Sequence, residues 1–416
     1  MSRWTLSCVA VFCAMLAPAL AAATPVEASV DARDIVALER LSQTAASAEE
    51  RNLATGAALA LRRKDDAALA VLVPLAGSQA PRDLRAEAYI AACEVYLRQG
   101  RFSETYNALK AAQTLSSEPL QNEVIQTMEF AQVLSGVTPM AVAHKAAGRL
   151  PVTRDMAGMA NVSVKINGQV QNAVIDSGAA FSTISESTAK RLGVRMMEKA
   201  TTVASASKDA VVTRVGIADR LEFGDAVLTN VVFAVLPDAD LTFAGGKYKI
   251  DAIMGLPVFV ALDRIEVASE AGQESLIYGP KPAAAKTQSN LLLAGVEPIV
   301  LVGAEKADTP LRMFIDTGAV HTSLNAKFLA DYPALNQSTV NQTAHWEGAG
   351  GAATDEKARN VPELRLIVAG RPITLKDVRM KSKAEPDRHG AIGQDLLKQG
   401  RRWALDFANM SFTVSD

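Results

Sequence analysis

Two copies of one short motif contain the residues most able to do chemistry. They are Asp176-Ser177-Gly178-Ala179 and Asp316-Thr317-Gly318-Ala319. Each copy follows a run of large apolar residues and leads into a Ser/Thr-rich segment. A single such triplet is usually only a bend, because Asp, Ser and Gly are common turn residues. Two carboxylates presented twice in similar surroundings instead indicate acid-base chemistry on a shared water.

The residues before each aspartate predict strands that would hold it. Residues 162–175 alternate between apolar and polar side chains around Asn167-Gly168, and Asn-Gly is the strongest short hairpin signal. Residues 299–302 and 311–315 are two apolar strands around a polar turn. A similar hairpin is therefore expected to lead into both aspartates.

Further landmarks recur after each aspartate in one order and at nearly constant spacing, which indicates an internal duplication. Ser182 corresponds to Thr322, and a glycine between two strands recurs as Gly224 and Gly370. An apolar-apolar-Gly segment and an Ala-Leu-Asp segment also recur, as Ile253-Met254-Gly255 with Ala391-Ile392-Gly393, and Ala261-Leu262-Asp263 with Ala404-Leu405-Asp406.

With these motifs the sequence resembles the aspartic proteases, closest to the retropepsin-like kind with two lobes fused in one chain. The resemblance covers roughly residues 152–416 and implies two β-rich lobes, each with one Asp-Ser/Thr-Gly-Ala loop. It makes Asp176 and Asp316 the catalytic pair. It also makes Ser177 and Thr317 the hydroxyls that cross-link the two loops.

The chemistry of the pair explains the residue types in the motif. Two carboxylates about 3 Å apart cannot both ionise, so they share one proton and can activate a water without metal or cofactor. Gly178 and Gly318 let backbone N–H groups approach the carboxylates. Ala179 and Ala319 cannot donate a hydrogen bond to the ionised pair, so we expect activity nearer mildly acidic or neutral pH than strongly acidic pH.

A flap over the cleft is a second feature that the resemblance implies. Residues 203–209 of the first lobe have neither an aromatic residue nor glycines. Residues 345–351 of the second lobe have both, and glycine-rich tips are typical of mobile lids. The candidate flap residues are Trp346, Gly348, Gly350 and Gly351, with an ordinary surface loop as the alternative.

Composition gives little reason to expect other chemistry. The 416 residues suggest two to four domains, and a net charge of −2 does not favour a nucleic-acid or membrane-surface partner. The four histidines are scattered without metal-ligand spacing, so no metal site is predicted. His321 lies five positions beyond Asp316 but is more simply a loop or strand side chain.

The N-terminus predicts export. Residues 1–23 read as a secretory signal peptide, with Arg3, an apolar stretch from Trp4 and small residues at 19–23. An uncleaved membrane anchor is the alternative, because this stretch is long enough to span a bilayer. Removing it would leave Cys93 alone and exclude an intramolecular disulfide, which favours a bacterial periplasm as the location.

Residues 24–138 predict an α-helical module, followed by a linker at 139–151. Two helix pairs are expected, at 84–97 with 103–115 and at 53–61 with 65–75. Their small and aromatic residues loosely resemble tetratricopeptide-type repeats, which would offer a concave face to a peptide or protein partner. A helical prodomain or spacer is the alternative.

The sequence therefore predicts a multidomain protein with N-terminal all-α helical hairpins and an all-β bilobal aspartic-protease domain. The two lobes are expected at residues 152–284 and 285–416. The predicted function is that of a periplasmic aspartic endopeptidase acting on polypeptides. The alternative is a non-catalytic peptide- or partner-binding protein that retains the fold and docks through its helices.

Overall fold

The computed structural model describes residues 23–203, 211–280, 289–305, 307–333, 340–348 and 351–416. The predicted signal peptide lies outside the described residues except for Ala23. Residues 203–209, the first-lobe segment at the position of a flap, lie outside the described residues except for Val203. Gly350 of the candidate second-lobe flap also lies outside them.

The N-terminal part of the described chain is helical, as predicted. Its helices are α1 (Pro25–Asp31), α2 (Ile35–Thr44), α3 (Ala48–Leu61), α4 (Asp65–Ala76), α5 (Arg82–Arg98), α6 (Phe102–Leu115) and α7 (Asn122–Val133). Thr24 and Ser47 cap α1 and α3 in reciprocal capping boxes with Glu27 and Glu50.

Three of the helix pairs turn in the same way. A residue with positive φ joins α1 to α2 (Arg33, 49°), α3 to α4 (Arg63, 57°) and α5 to α6 (Gly100, 69°). The next residue donates its N–H to a carbonyl five positions back, as expected for a Schellman motif, in the pairs Asp34–Ser29, Lys64–Leu59 and Arg101–Tyr96. This shared turn agrees with helical hairpins, whereas the tetratricopeptide resemblance stays a prediction.

The first lobe follows the helices, and its elements extend from β1 to β14. They are β1 (Ala141–His144), β2 (Gly148–Pro151), β3 (Thr153–Arg154), β4 (Ala160–Ile166), β5 (Gln169–Ile175), β6 (Ser182–Ser185), α8 (Glu186–Arg191), β7 (Arg195–Val203), β8 (Val211–Phe223), β9 (Ala226–Leu236), β10 (Thr242–Phe243), β11 (Tyr248–Lys249), β12 (Ala252–Met254), α9 (Leu256–Ala261), β13 (Arg264–Glu270) and β14 (Gln273–Tyr278). Short 3₁₀ turns lie at Asp238–Leu241 and Ala244–Gly246.

The second lobe repeats this arrangement. Its elements are β15 (Leu291–Ala294), β16 (Glu297–Ala304), β17 (Leu311–Ile315), β18 (Ser323–Asn325), α10 (Ala326–Asp331), β19 (Val340–Asn341), β20 (Ala344–Gly348), β21 (Gly351–Asp355), β22 (Arg359–Val368), β23 (Arg371–Lys381), β24 (Gly390–Ile392), α11 (Gln394–Leu397), β25 (Arg402–Asp406) and β26 (Ser411–Ser415).

The two lobes share one sheet topology. The main strand order is β1-β9-β6-β12-β5-β4-β8-β7 in the first lobe and β15-β16-β17-β24-β18-β23-β22-β19 in the second. Reading the first order backwards from β4, the run β4-β5-β12-β6-β9 corresponds to the run β16-β17-β24-β18-β23. Pairing of β8 with β9 and of β16 with β22 folds each sheet back on itself. In both lobes the strand before the aspartate runs parallel to the apolar-apolar-Gly strand, β5 beside β12 and β17 beside β24. The predicted fold class is confirmed.

A separate sheet joins the lobes, in the order β2-β14-β13-β25-β26. Its central pair is β13 from the first half of the domain and β25 from the second half. These two strands are antiparallel, with Arg264 opposite Asp406. This corrects one landmark of the duplication. The segment Ala261-Leu262-Asp263 ends α9 and precedes a strand, whereas Ala404-Leu405-Asp406 lies within β25, so the match is one of letters rather than of position.

The segment 139–151, predicted as a linker, contributes strands to these sheets. Within it β1 pairs with β9 and β2 pairs with β14. The helical module also packs on the second lobe, because Leu292, Ala294 and Ile299 join its apolar core. Among the described residues no helix is both long and apolar enough to cross a membrane.

Candidate active site

The two aspartate loops are cross-linked across the boundary between the lobes. The Ser177 N–H donates to Oγ1 of Thr317 (2.9 Å), and the Thr317 N–H donates to Oγ of Ser177 (3.2 Å). The two hydroxyls in turn donate to carbonyls at the ends of the opposite strands, Ser177 to Ile315 (2.7 Å) and Thr317 to Ile175 (2.9 Å). Every one of these groups has a reciprocal partner, so the two loops hold each other in one register.

The two glycines of the motif lie directly against the carboxyl groups. Gly178 N–H donates to Oδ1 of Asp176 (2.8 Å), and Gly318 N–H donates to Oδ1 of Asp316 (2.9 Å). A Cβ atom on Gly178 would lie 2.6 Å from Cγ of Asp316, and one on Gly318 would lie 2.5 Å from Cγ of Asp176. Each glycine therefore leaves room for the carboxyl group of the opposite lobe.

The apolar-apolar-Gly strands support the loops from beneath. Asp176 N–H donates to the Met254 carbonyl (3.1 Å), and Asp316 N–H donates to the Ile392 carbonyl (3.0 Å). Ser182 and Thr322 make equivalent contacts, as their predicted correspondence requires. Their hydroxyl oxygens both accept the N–H of the glycine that ends the supporting strand, in the pairs Gly255–Ser182 (3.1 Å) and Gly393–Thr322 (3.1 Å).

Burial and proximity change the acidity of the two aspartates. Burial raises the pKa of Asp176, against the opposing effect of the hydrogen bond from Gly178 N–H. Burial raises the pKa of Asp316 well above its ordinary value, helped by the charge of Asp176 and a hydrogen bond between the two carboxyl groups. One proton is therefore shared by the pair.

The second loop has a polar brace that the first loop does not share. Gln394, which is 2% exposed, donates its Nε2 to the Thr317 carbonyl (2.7 Å). Its Oε1 accepts a hydrogen bond from Arg154 of the first lobe (3.0 Å), and Arg154 also binds both carboxylate oxygens of Glu274. The corresponding position after Gly255 is Leu256, which cannot make such a bond.

The candidate flap residues lie on a hairpin of the second lobe. Strands β20 and β21 pair from Ala344 opposite Asp355 to Gly348 opposite Gly351. Trp346 lies on β20, with Lys381 Nζ 5.3 Å from its ring centroid, and its Nε1 is buried without a hydrogen-bond partner among the described residues. The hairpin agrees with a flap in shape, and its role as a lid stays a prediction.

Three residues of the site were not found from the sequence. Gln394 and Arg154 act through side-chain bonds between distant segments, and no local pattern marks such bonds. Phe181, described below, follows the first motif closely, and its aromatic type was the available signal. His321 occupies the matching position in the second lobe, where its side chain is 61% exposed and Nδ1 lies 3.9 Å from Asp395.

The fold and the paired loops define an aspartic-protease-like domain. A family model described as "Aspartyl protease" matches residues 162–258, which extend from β4 into α9 and include Asp176. The comparison with curated proteins gives no match. The second lobe is placed in the same fold by its topology, which repeats that of the matched lobe.

Proposed function

We propose that the protein is an aspartic endopeptidase that hydrolyses peptide bonds with a water activated by Asp176 and Asp316. The observation that supports this most strongly is the pairing of two half-buried carboxyl groups, one from each lobe, by reciprocal bonds between their loops. A domain of this family implies polypeptide substrates.

Because the pair shares one proton, one carboxyl starts ionised and the other protonated, and we assign the charge to Asp176 and the proton to Asp316. Asp176 begins ionised and takes a proton from the water as the water oxygen attacks the peptide carbonyl carbon. Asp316 begins protonated and gives its proton to the carbonyl oxygen, which forms a tetrahedral diol. When the C–N bond breaks, Asp176 passes its proton to the leaving nitrogen and Asp316 recovers one from the diol.

The substrate is proposed to bind as an extended strand, since main-chain hydrogen bonds then supply affinity and side-chain pockets supply selectivity. The raised pKa values of both carboxyls agree with activity at mildly acidic or neutral pH. A periplasmic location after export by residues 1–23 is part of the proposal and rests on the sequence of that segment.

Substituting each aspartate with asparagine tests the proposal. Asp176→Asn and Asp316→Asn should each lower cleavage of an unstructured peptide library by ~10³-fold, because each removes a proton-transfer group. Mass spectrometry of the products measures activity and cleavage preference together. Asp406→Asn is the matched control, because the Asp406 carboxylate lies outside both aspartate loops and accepts hydrogen bonds from Asn409 at an exposed turn. Full activity in either dyad variant would exclude the mechanism.

Partner binding by the helical module is a second candidate function. A groove of about 920 Å³ is lined by residues of α1, α3, α4 and α5, including Glu27, Glu49, Val71 and Leu75. If the protein only binds partners, the wild type will cleave nothing and will not bind a statine-type transition-state mimic, because tight binding of that mimic needs an organised dyad.

A further inference from the structure

We propose that the helices α6 and α7 are a working part of the catalytic unit, in which Phe130 positions the first aspartate loop through Phe181. This inference rests on the proposed endopeptidase function. It extends that function to residues outside the segment matched by the family model.

Three aromatic rings connect the helices to the loop. The Phe130 ring stacks on the Phe181 ring with centroids 4.5 Å apart and an interplanar angle of 29°. Phe102 of α6 lies 6.3 Å from Phe181 and 6.4 Å from Phe130. Phe102 and Phe130 are 3% and 4% exposed, so the helices enclose this contact. Rings at these separations attract each other beyond the effect of burial alone.

The backbone at Phe181 is packed tightly into the site. A Cβ on Gly255 would lie 2.6 Å from the Phe181 carbonyl carbon, so the supporting strand and this residue are in close contact. Leu256 N–H donates to the Ala179 carbonyl (2.9 Å), two residues before Phe181. Only five positions separate Phe181 from Asp176, so a shift of the ring is transmitted to the carboxyl over a short, hydrogen-bonded segment.

The second aspartate loop lacks this contact. His321 takes the place of Phe181, and its side chain is mostly exposed. The second loop is held instead by the bond from Gln394. The helices therefore contact only the first of the two aspartate loops through this stack. Loss of the stack should change the first loop and leave the second unchanged, whereas a general loss of stability would affect both loops.

The helical module is fixed to both lobes. On the first lobe, Met197 of β7 packs against the apolar cluster around Phe130. On the second lobe, Arg33 pairs with Glu297 (2.5 Å) and Asp387 (2.7 Å). Arg63 donates to the Phe407 carbonyl (2.7 Å). Removing the helices would take one of two guanidinium partners from Glu297 and Asp387, which Arg388 also contacts (2.9 Å each).

Phe130→Ala is the test variant, and Leu109→Ala is the matched control. Leu109 is fully buried in α6 but belongs to a different cluster, around Cys93 and Ala108. Both variants remove a large buried side chain from the helices, and only the first removes the stack on Phe181. Phe130→Leu keeps most of the apolar volume and should restore most of the loss.

Two measurements on the full-length variants are decisive. Hydrogen exchange of the 176–185 segment should become at least ~10-fold faster in Phe130→Ala and stay unchanged in Leu109→Ala. In peptide cleavage, Phe130→Ala should lower kcat by ~10- to 100-fold with KM changed less than ~3-fold, since an error of about 1 Å in a catalytic group can cost 10²-fold.

Equal exchange rates in Phe130→Ala and the wild type, or equal effects of Phe130→Ala and Leu109→Ala, would overturn the inference. If Phe130→Ala does not fold, the same comparison with Phe130→Leu decides, with a smaller effect expected. The exchange measurement needs no activity. A wild type that cleaves nothing would therefore reject the endopeptidase proposal, while exchange still decides whether Phe130 holds the loop.

Discussion

The two aspartate loops are alike in their contacts with each other and different in their contacts with the rest of the protein. Their cross-links use the same atoms in both directions, whereas a polar chain from Gln394 braces one loop and an aromatic stack braces the other. Contacts across the pseudo-two-fold axis must match, because each loop is the other's partner. Contacts away from that axis are free to diverge, and they give the two carboxyls different surroundings.

The largest effect expected outside the two aspartates themselves is a symmetric one. Gly178→Ala and Gly318→Ala should each lower kcat/KM by ~10²-fold or more, because each Cβ would displace the opposite carboxyl and misplace a proton-transfer group. Steady-state cleavage of one peptide measures both variants. Gly77→Ala is the control, since its φ is −85° and its new Cβ would meet no atom closer than 3.6 Å. A tolerated alanine at either motif glycine would contradict the close packing of the dyad.

The next effect tests whether the cross-link is reciprocal. Ser177→Ala and Thr317→Val should each destabilise the protein by about 1–3 kcal/mol, because each leaves a buried N–H and a buried carbonyl of the other loop unpaired. Denaturant unfolding measures both. Thr317→Ser keeps the hydroxyl and should cost much less. Loss at only one of the two positions would show that one lobe dominates the contact.

A smaller effect is expected from removing the polar brace. Gln394→Leu gives the second lobe the residue type found at Leu256 and leaves the Thr317 carbonyl without its side-chain donor. We expect a loss of about 1 kcal/mol in the free energy of unfolding. Gln399→Leu removes a similar bond, to the Thr374 carbonyl, on the exposed surface. An equal cost for both variants would show that the brace has no special importance.

The smallest effect concerns pH. Both dyad carboxyls have raised pKa values in the folded state, so the folded protein binds more protons than the unfolded chain above about pH 4. Their contribution to stability therefore falls as pH rises from the unfolded pKa through the folded one. Asparagine removes this penalty.

Asp316→Asn and Asp176→Asn should each raise Tm at pH 7 by a few degrees, because the pKa of each carboxyl is raised in the folded protein. Both gains should shrink towards pH 3. Thermal unfolding across this range measures both gains, with the wild type as the reference. The absence of any gain in Tm at pH 7 in both variants would contradict the raised pKa values of the pair.

The sequence was most informative where local pattern and duplication agreed. Asn167-Gly168 predicted the turn between β4 and β5, and both residues have positive φ there. The recurring Gly255 and Gly393 predicted the ends of β12 and β24, the strands that lie beneath the aspartate loops. The Ala-Leu-Asp repeat was misleading, because short apolar pairs recur by chance in strands and helix ends. The stack of Phe130 on Phe181 could not be predicted, since it depends on how a helix from another segment lies on the lobe.

The five-stranded sheet between the lobes has a consequence for assembly. Its middle pair takes one strand from each half, so an isolated half would leave β13 or β25 as an open edge that invites pairing with another copy. Joining the halves covalently replaces a bimolecular encounter with an intramolecular one of high effective concentration. Dilution that would dissociate a dimer of separate halves would leave this protein's cleft intact.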